Sequence, residues 1–85
     1  MTSESAYLVK TLFIQGSYSA CLATVQSESS ASLESQLYAA RSLIATGQTD
    51  EAADILQSLP QEDLNVRVVT LLNEYVAMQG EFSIS

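Results

Sequence analysis

The sequence predicts an all-α fold, a stack of antiparallel helical hairpins that comprises about two and a half repeats. Two observations support this prediction: the regular spacing of the glycines and the helical periodicity of the apolar residues between them. The chain has three glycines, Gly16, Gly47 and Gly80, and each of them follows an apolar stretch. They recur about every 32 residues, a period that is typical of stacked helical hairpins. Repeats of this kind build surfaces that hold other proteins.

The first hairpin is predicted over about residues 5–28. Its first helix, over about residues 5–15, should end at Gly16, because glycine adopts the left-handed C-cap conformation without Cβ strain. Ser17 or Ser19 can cap the second helix, whose apolar residues follow the i, i+3, i+4, i+7 pattern. Those apolar residues are Tyr18, Cys21, Leu22 and Val25.

The second hairpin is predicted over about residues 33–59, after a serine-rich linker at residues 26–32. Gly47 should end its first helix, and Thr49 is a candidate N-cap for its second helix. Pro60 stops that second helix, because proline cannot continue a helix and biases the preceding residue away from helical geometry. The apolar stripe of the first helix consists of Leu33, Leu37, Ala40 and Ile44.

A third hairpin, over about residues 62–85, is expected to be incomplete. Its first helix is apolar on two faces, which is usual for a helix sandwiched between neighbours. The two stripes are Leu64, Val68, Leu71, Leu72 and Tyr75, and Val66, Val69 and Val76. We expect a turn at Gly80, and we expect the second helix of this hairpin to be missing. On this interpretation, residues 1–85 are the N-terminal part of a longer helical-repeat domain.

The composition argues against several classes of function. The formal net charge is −7, whereas binding to nucleic acid or to an anionic membrane requires clustered cations. The chain has no histidine, one cysteine and no phosphate-binding or nucleophile motif, so we expect no enzymatic activity, cofactor or metal. We interpret Cys21 as a small buried apolar residue, since no cation flanks it. The N-terminus lacks the features of a signal peptide.

A candidate partner surface follows from the glycine register. Lys10, Arg41 and Glu74 each lie six residues before a glycine, so they should line up on one wall of the stack. The neighbouring members of this predicted surface are Phe13, Ile14, Ile44 and Met78. The alternative is a solvated charged face on which the Lys and Arg stems cover apolar neighbours.

Aligned on their glycines, the units resemble tetratricopeptide repeats. In that family the turn glycine is followed by an aromatic residue two positions later, where this chain has Tyr18, Thr49 and Phe82. A small residue comes three positions after that, where the chain has Cys21 and Ala52. The resemblance implies a right-handed solenoid in which the first helices of the hairpins line the concave wall.

Three stretches also resemble the epsilon subunit of the coatomer (COPI) vesicle coat. The opening stretch, residues 8–21, reads LVKTLFIQGSYSAC, and the second, residues 37–45, reads LYAARSLIA. The third comprises VRVV at residues 66–69 and NEYVA at residues 73–77. Together they cover about residues 7–80, and the proteins of that family are several times longer than this chain.

This second resemblance implies a non-catalytic structural subunit that supports Golgi-to-ER retrograde and intra-Golgi vesicle transport. Its expected partners are the C-terminal region of the coatomer alpha subunit and the other coatomer subunits. It implies a cytoplasmic protein, peripheral on the cytosolic face of Golgi membranes and COPI-coated vesicles. Contact with the membrane would be indirect, through the rest of the coat and a small GTPase.

Two other interpretations remain open at this stage. A generic tetratricopeptide adaptor or co-chaperone would grip the carboxylate of a peptide tail with a basic clamp. Lys10 and Arg41 provide two cations for such a clamp, whereas Glu74 opposes it. A small enzyme or its regulatory subunit is the remaining possibility, and the absence of histidine argues against it.

Overall fold

A computed structural model describes the backbone of residues 2–28 and 30–82, and the side chains of residues 7–28 and 30–79. All regular secondary structure among these residues is helical, which confirms the predicted all-α class. The five helices are α1 (Thr2–Ile14), α2 (Tyr18–Gln26), α3 (Leu33–Ala45), α4 (Thr49–Gln57) and α5 (Leu64–Phe82). The predicted third hairpin extends to residues 83–85, which lie outside the described part of the chain.

The helices pack as consecutive hairpins. Helices α1 and α2 form the first hairpin, α3 and α4 form the second, and α5 packs against both helices of the second. Each first helix also packs against the next one, α1 on α3 and α3 on α5. One wall of the molecule is therefore built from α1, α3 and α5, with α2 and α4 behind it.

Helix α3 is the centre of the fold, because it packs against each of the other four helices. Its sequence permits this crowding: the buried positions on its several faces include small residues, which let neighbouring helices approach closely. Those small buried residues are Ser35, Ala39, Ala40 and Ser42.

The core has two parts, one on each side of α3. The larger part joins α3 to α4 and α5 through Leu37, Ala40, Leu43, Ile44, Ala52, Leu56, Leu59, Val66 and Val69. The smaller part joins α3 to α1 and α2 through Val9, Cys21, Val25 and Ala39. Cys21 is fully buried, as predicted, and its Sγ lies 3.5 Å from the carbonyl oxygen of Val9.

The structure confirms the left-handed C-cap predicted at Gly16 and the helix end predicted at Gly47, and both glycines have a positive φ. Their φ angles are +81° and +83°, in the region that glycine adopts without strain. At the first turn the Ser17 N–H donates to the carbonyl of Leu12 at 2.9 Å, and the Gly16 N–H donates to that of Phe13 at 3.0 Å. This pair of hydrogen bonds is the Schellman motif, which satisfies carbonyls left without partners at the end of a helix.

The turn predicted at Gly80 is wrong, because α5 continues through this residue to Phe82. Helices α3 and α5 begin at Leu33 and Leu64, which are as far apart in sequence as Gly16 and Gly47 are. We call this spacing the repeat interval. One repeat interval after Gly47 lies Met78, which has no tendency to adopt a positive φ. A glycine inside a helix costs only about 1 kcal/mol relative to alanine, so Gly80 does not by itself end α5.

The helix N-termini differ in part from the prediction. Ser17 is the N-cap of α2 without a capping hydrogen bond from its side chain, and Gln48 rather than Thr49 is the N-cap of α4. Side-chain caps are present at the starts of α3 and α5. Ser32 Oγ accepts from the Ser35 N–H at 3.2 Å before α3. Before α5, Asp63 Oδ1 accepts from the N–H groups of Asn65 and Val66, at 2.9 and 3.2 Å.

Candidate partner-binding groove

A groove of about 420 Å³ runs between α3 and α5 on the wall formed by the first helices. Its α3 side is formed by Glu34, Leu37, Tyr38 and Arg41. Its α5 side is formed by Asn65, Val68, Val69 and Leu72. We call these eight residues the α3–α5 groove.

The α3–α5 groove combines an apolar surface with a few charged and polar groups. Leu37 and Val69 are buried, whereas Val68 and Leu72 are 57% and 44% exposed. Such exposed side chains can gain further burial when a ligand covers them, at about 25 cal/mol per Å² of apolar area. The charged groups both lie on α3, with Glu34 near the start of the helix and Arg41 two turns later.

Arg41 is held by aromatic rings that come from two different helices. Its guanidinium carbon lies 4.5 Å from the ring centroid of Phe13 on α1 and 5.5 Å from that of Tyr38 on α3. The Phe13 and Tyr38 centroids are 5.3 Å apart, and the Tyr18 centroid lies 5.5 Å from that of Phe13. A guanidinium stacked on rings keeps its charge while losing much of its freedom to move.

The structure brings together some of the predicted surface residues and separates others. Arg41 and Phe13 are in contact, as the shared wall predicted. Lys10 is exposed on α1, one repeat before Arg41, and Ile14 is 70% exposed at the end of the same helix. Ile44 is different, because it is only 6% exposed and belongs to the core between α3, α4 and α5.

The predicted alignment of Glu74 with Lys10 and Arg41 is wrong. Glu74 lines a separate cleft of about 110 Å³ between α4 and α5, beside Gln57 and Thr70. The prediction counted six residues back from Gly80, which is not the equivalent of the other two glycines. One repeat interval after Arg41 lies Leu72 in α5, and both residues line the α3–α5 groove.

Several groove residues were missed in the sequence, although a signal for them exists. The repeat interval, which separates the starts of α3 and α5, also relates Glu34 to Asn65 and Leu37 to Val68. Aligning the helix starts, rather than all three glycines, would have found these positions. Met78, the last of the predicted surface residues, is 53% exposed on the outer side of α5 and does not line the groove.

The described residues provide a surface for recognition. Among them, no group of three or more His, Cys, Asp or Glu side chains is placed to hold a metal ion. None of the described helices combines the length and the hydropathy needed to cross a bilayer. The groove instead offers a cation packed on aromatic rings, one carboxylate and an apolar wall, which are features of a protein-binding site.

The stacked hairpins and their shared wall define a helical-repeat protein, a class that typically forms non-catalytic interaction modules. The chain belongs to the tetratricopeptide repeat family, whose match covers residues 8–75. That range includes the second half of α1, all of α2, α3 and α4, and most of α5, and it confirms the repeat class inferred from Gly16 and Gly47. No curated protein and no solved structure matches the chain.

Proposed function

We propose that this chain binds a segment of a partner protein in the α3–α5 groove. The observation that carries the proposal is the position of Arg41, which aromatic rings hold at the edge of a groove with an exposed apolar wall. In tetratricopeptide repeats the first helices line the concave side of the stack, where extended binding surfaces form. The groove lies on that wall.

The chemistry of the groove indicates what the bound segment contains. Stacking on Phe13 leaves the N–H edge of the Arg41 guanidinium able to donate to a carboxylate. Val68 and Leu72 line the α5 side of the groove, opposite Arg41. The part of the bound segment that contacts them must therefore carry apolar side chains. The partner segment therefore carries an acidic residue next to apolar ones, and its acidic residue lies away from Glu34.

In finer terms, we propose that the chain is a structural subunit of the COPI coat, similar to the coatomer epsilon subunit. The support is the resemblance of residues 8–21, 37–45, 66–69 and 73–77 to that family, in matching order. The bound segment would then belong to the C-terminal region of the alpha subunit. The protein would be cytoplasmic and peripheral on Golgi membranes and COPI-coated vesicles, and it would support retrograde and intra-Golgi transport without catalysis.

The experiment is a calorimetric titration of the chain with the C-terminal region of the coatomer alpha subunit. Arg41→Glu should weaken binding at least about tenfold, because it removes a charge-assisted hydrogen bond and places a carboxylate against the ligand's own. Arg67→Glu is the matched control, since it makes the same change of charge at an exposed residue outside the groove. All three chains are titrated at a concentration at which each is monomeric. Circular dichroism should show unchanged helicity for both variants.

Two outcomes would contradict different parts of the proposal. Equal affinities for the wild type and Arg41→Glu would exclude the groove as the binding site. If the wild type does not bind the alpha subunit, the COPI assignment fails. A fluorescent peptide with an acidic, apolar C-terminal tail then tests the groove itself, and binding that depends on Arg41 would identify a peptide-tail adaptor instead.

A further inference from the structure

One face of α5 is apolar and points away from the rest of the described molecule. Its residues repeat at i, i+4, i+7, i+11 and i+14, and each is more than half exposed. They are Leu64 (71%), Val68 (57%), Leu71 (65%), Tyr75 (59%) and Met78 (53%). We call them the outer face of α5. At a rise of 1.5 Å per residue this face is about 21 Å long.

The outer face of α5 repeats a face of α3 that is covered by other helices. Across one repeat interval, Leu64, Val68, Leu71 and Tyr75 correspond in order to Leu33, Leu37, Ala40 and Ile44. Those four residues of α3 pack in the core against α4 and α5. The outer face of α5 therefore has the pattern of a surface that packs against helices, and none of the residues that the structure describes covers it.

Two opposite charges lie along one edge of this face. Arg67 and Glu74 are both exposed and are separated by two helical turns, so they lie almost in line along the helix. The midpoint between them falls between Thr70 and Leu71, close to the centre of the apolar stretch. This edge is complementary to an antiparallel copy of itself, because a twofold axis through that midpoint would bring each Arg67 opposite the Glu74 of the other copy.

We propose that a second copy of this chain covers the outer face of α5, with the two α5 helices antiparallel about a twofold axis near Leu71. Leu71 then packs at the centre of the interface, and two Arg67–Glu74 pairs flank it on one side. Asp63 falls opposite Met78, so the pairing does not bring this acidic residue against another acid. A parallel arrangement would instead place Arg67 against Arg67 and is disfavoured.

The net charge of −7 limits the strength of this dimer without preventing it. At an ionic strength of 0.15 M, charges more than about 8 Å apart are largely screened, so acids distant from the interface repel one another weakly. The contact is a single helix pair, and we expect an association that depends strongly on protein concentration. Val68 belongs both to the α3–α5 groove and to the outer face of α5, whereas Arg41 belongs only to the groove. Substitution of Arg41 therefore tests partner binding without altering the dimer interface.

The test is sedimentation equilibrium of the 85-residue chain over a wide range of concentration. We expect a monomer–dimer equilibrium. Arg67→Glu and Glu74→Arg should each weaken the dimer at least about tenfold, because each places like charges opposite one another twice. An equimolar mixture of the two variants should recover association, since every facing pair is again of opposite sign. Leu71→Glu should abolish association, and Arg41→Glu should leave it unchanged.

Thermal melts followed by circular dichroism identify a variant that is less stable than the wild type. Even then, the equimolar mixture of Arg67→Glu and Glu74→Arg tests whether opposite charges restore association. The doubly substituted chain Arg67→Glu/Glu74→Arg restores both pairs within one sequence and should dimerise like the wild type. A wild type that stays monomeric at every concentration would overturn the proposal, and the outer face would then belong to a different protein or to a further helix. A mixture that associates no better than the single variants would also overturn it.

Discussion

The guanidinium carbon of Arg41 lies 4.5 Å from the centroid of the Phe13 ring, and this contact joins the first helices of two consecutive repeats. Arg41 is on α3 and Phe13 is near the end of α1, so the pair spans the boundary between the hairpins. Tyr38 contacts both members of the pair and so makes a small cluster of it. The contact holds a cation of the partner surface in place and also stabilises the stacking of repeats.

The energy of this pair can be measured with a double-mutant cycle of Phe13→Leu and Arg41→Met. Leucine and methionine are apolar and similar in length to the phenylalanine and arginine side chains that they replace. The cycle therefore isolates the interaction between the cation and the ring. We expect a coupling free energy of about 0.5–1 kcal/mol, which is usual for a partly exposed pair of this kind. Urea denaturation followed by circular dichroism gives the free energy of unfolding for each variant.

Arg67→Met is the matched control for this cycle. It makes the same substitution at an exposed residue of α5, a helix that does not contact α1. Its effect on the free energy of unfolding should add to that of Phe13→Leu to within about 0.3–0.5 kcal/mol. If the effects of Arg41→Met and Phe13→Leu on the free energy of unfolding were additive to the same degree, the stacking of Arg41 on Phe13 would make no energetic contribution.

The number and type of the helices up to Pro60 could be predicted from the sequence, because the signals for them are local. Gly16 and Gly47 mark turns that need a positive φ, and the apolar residues between them repeat with the helical period. The behaviour of Gly80 could not be predicted in this way. A glycine permits a helix to end but does not require it, and α5 continues where a residue equivalent to Gly47 is absent.

The different roles of these glycines predict alanine substitutions of opposite sign. Gly47→Ala should destabilise the fold by about 1–2 kcal/mol, because a Cβ is strained at a φ of +83° even though no atom lies within 4 Å of it. Gly80→Ala should stabilise it by up to about 1 kcal/mol, since alanine has the higher helix propensity. Thermal melts of both variants beside the wild type provide the measurement.

Gly16→Ala serves as the positive control, because Gly16 has nearly the same φ as Gly47 and is equally open around its Cβ position. It should be destabilising to a similar extent. If Gly80→Ala instead lowered the melting temperature as much as these two variants, the assignment of Gly80 to the interior of α5 would be wrong, and the predicted turn would be restored.

The partner surface could be predicted from the sequence only where the repeats had been aligned on equivalent glycines. Arg41 and Phe13 come from the two repeats whose glycines are equivalent, and the structure places them in contact. Glu74 was assigned through Gly80 and lies in another cleft. Ile44 was placed on the surface by its register, but a helix that packs against four neighbours has little exposed surface left, and Ile44 is buried.

The start of α5 depends on a side-chain cap from Asp63, and Asp63→Ala tests it. The Asp63 carboxylate accepts hydrogen bonds from the N–H groups of Asn65 and Val66, which have no partner within the helix. Removing this acceptor should lower the free energy of unfolding by about 1 kcal/mol, as is typical of an N-cap. The measurement is urea denaturation of the variant beside the wild type.

Two further substitutions separate the capping hydrogen bonds from the charge of Asp63. Asp63→Asn keeps an acceptor oxygen at the same place without the charge, so it should lose only a few tenths of a kcal/mol, because asparagine caps helices nearly as well as aspartate. Glu62→Ala removes a charge from the neighbouring exposed residue and should cost about 0.3 kcal/mol, the usual size of a surface interaction with the helix dipole. If Asp63→Asn were as destabilising as Asp63→Ala, the charge of Asp63 rather than its hydrogen bonds would stabilise the start of α5.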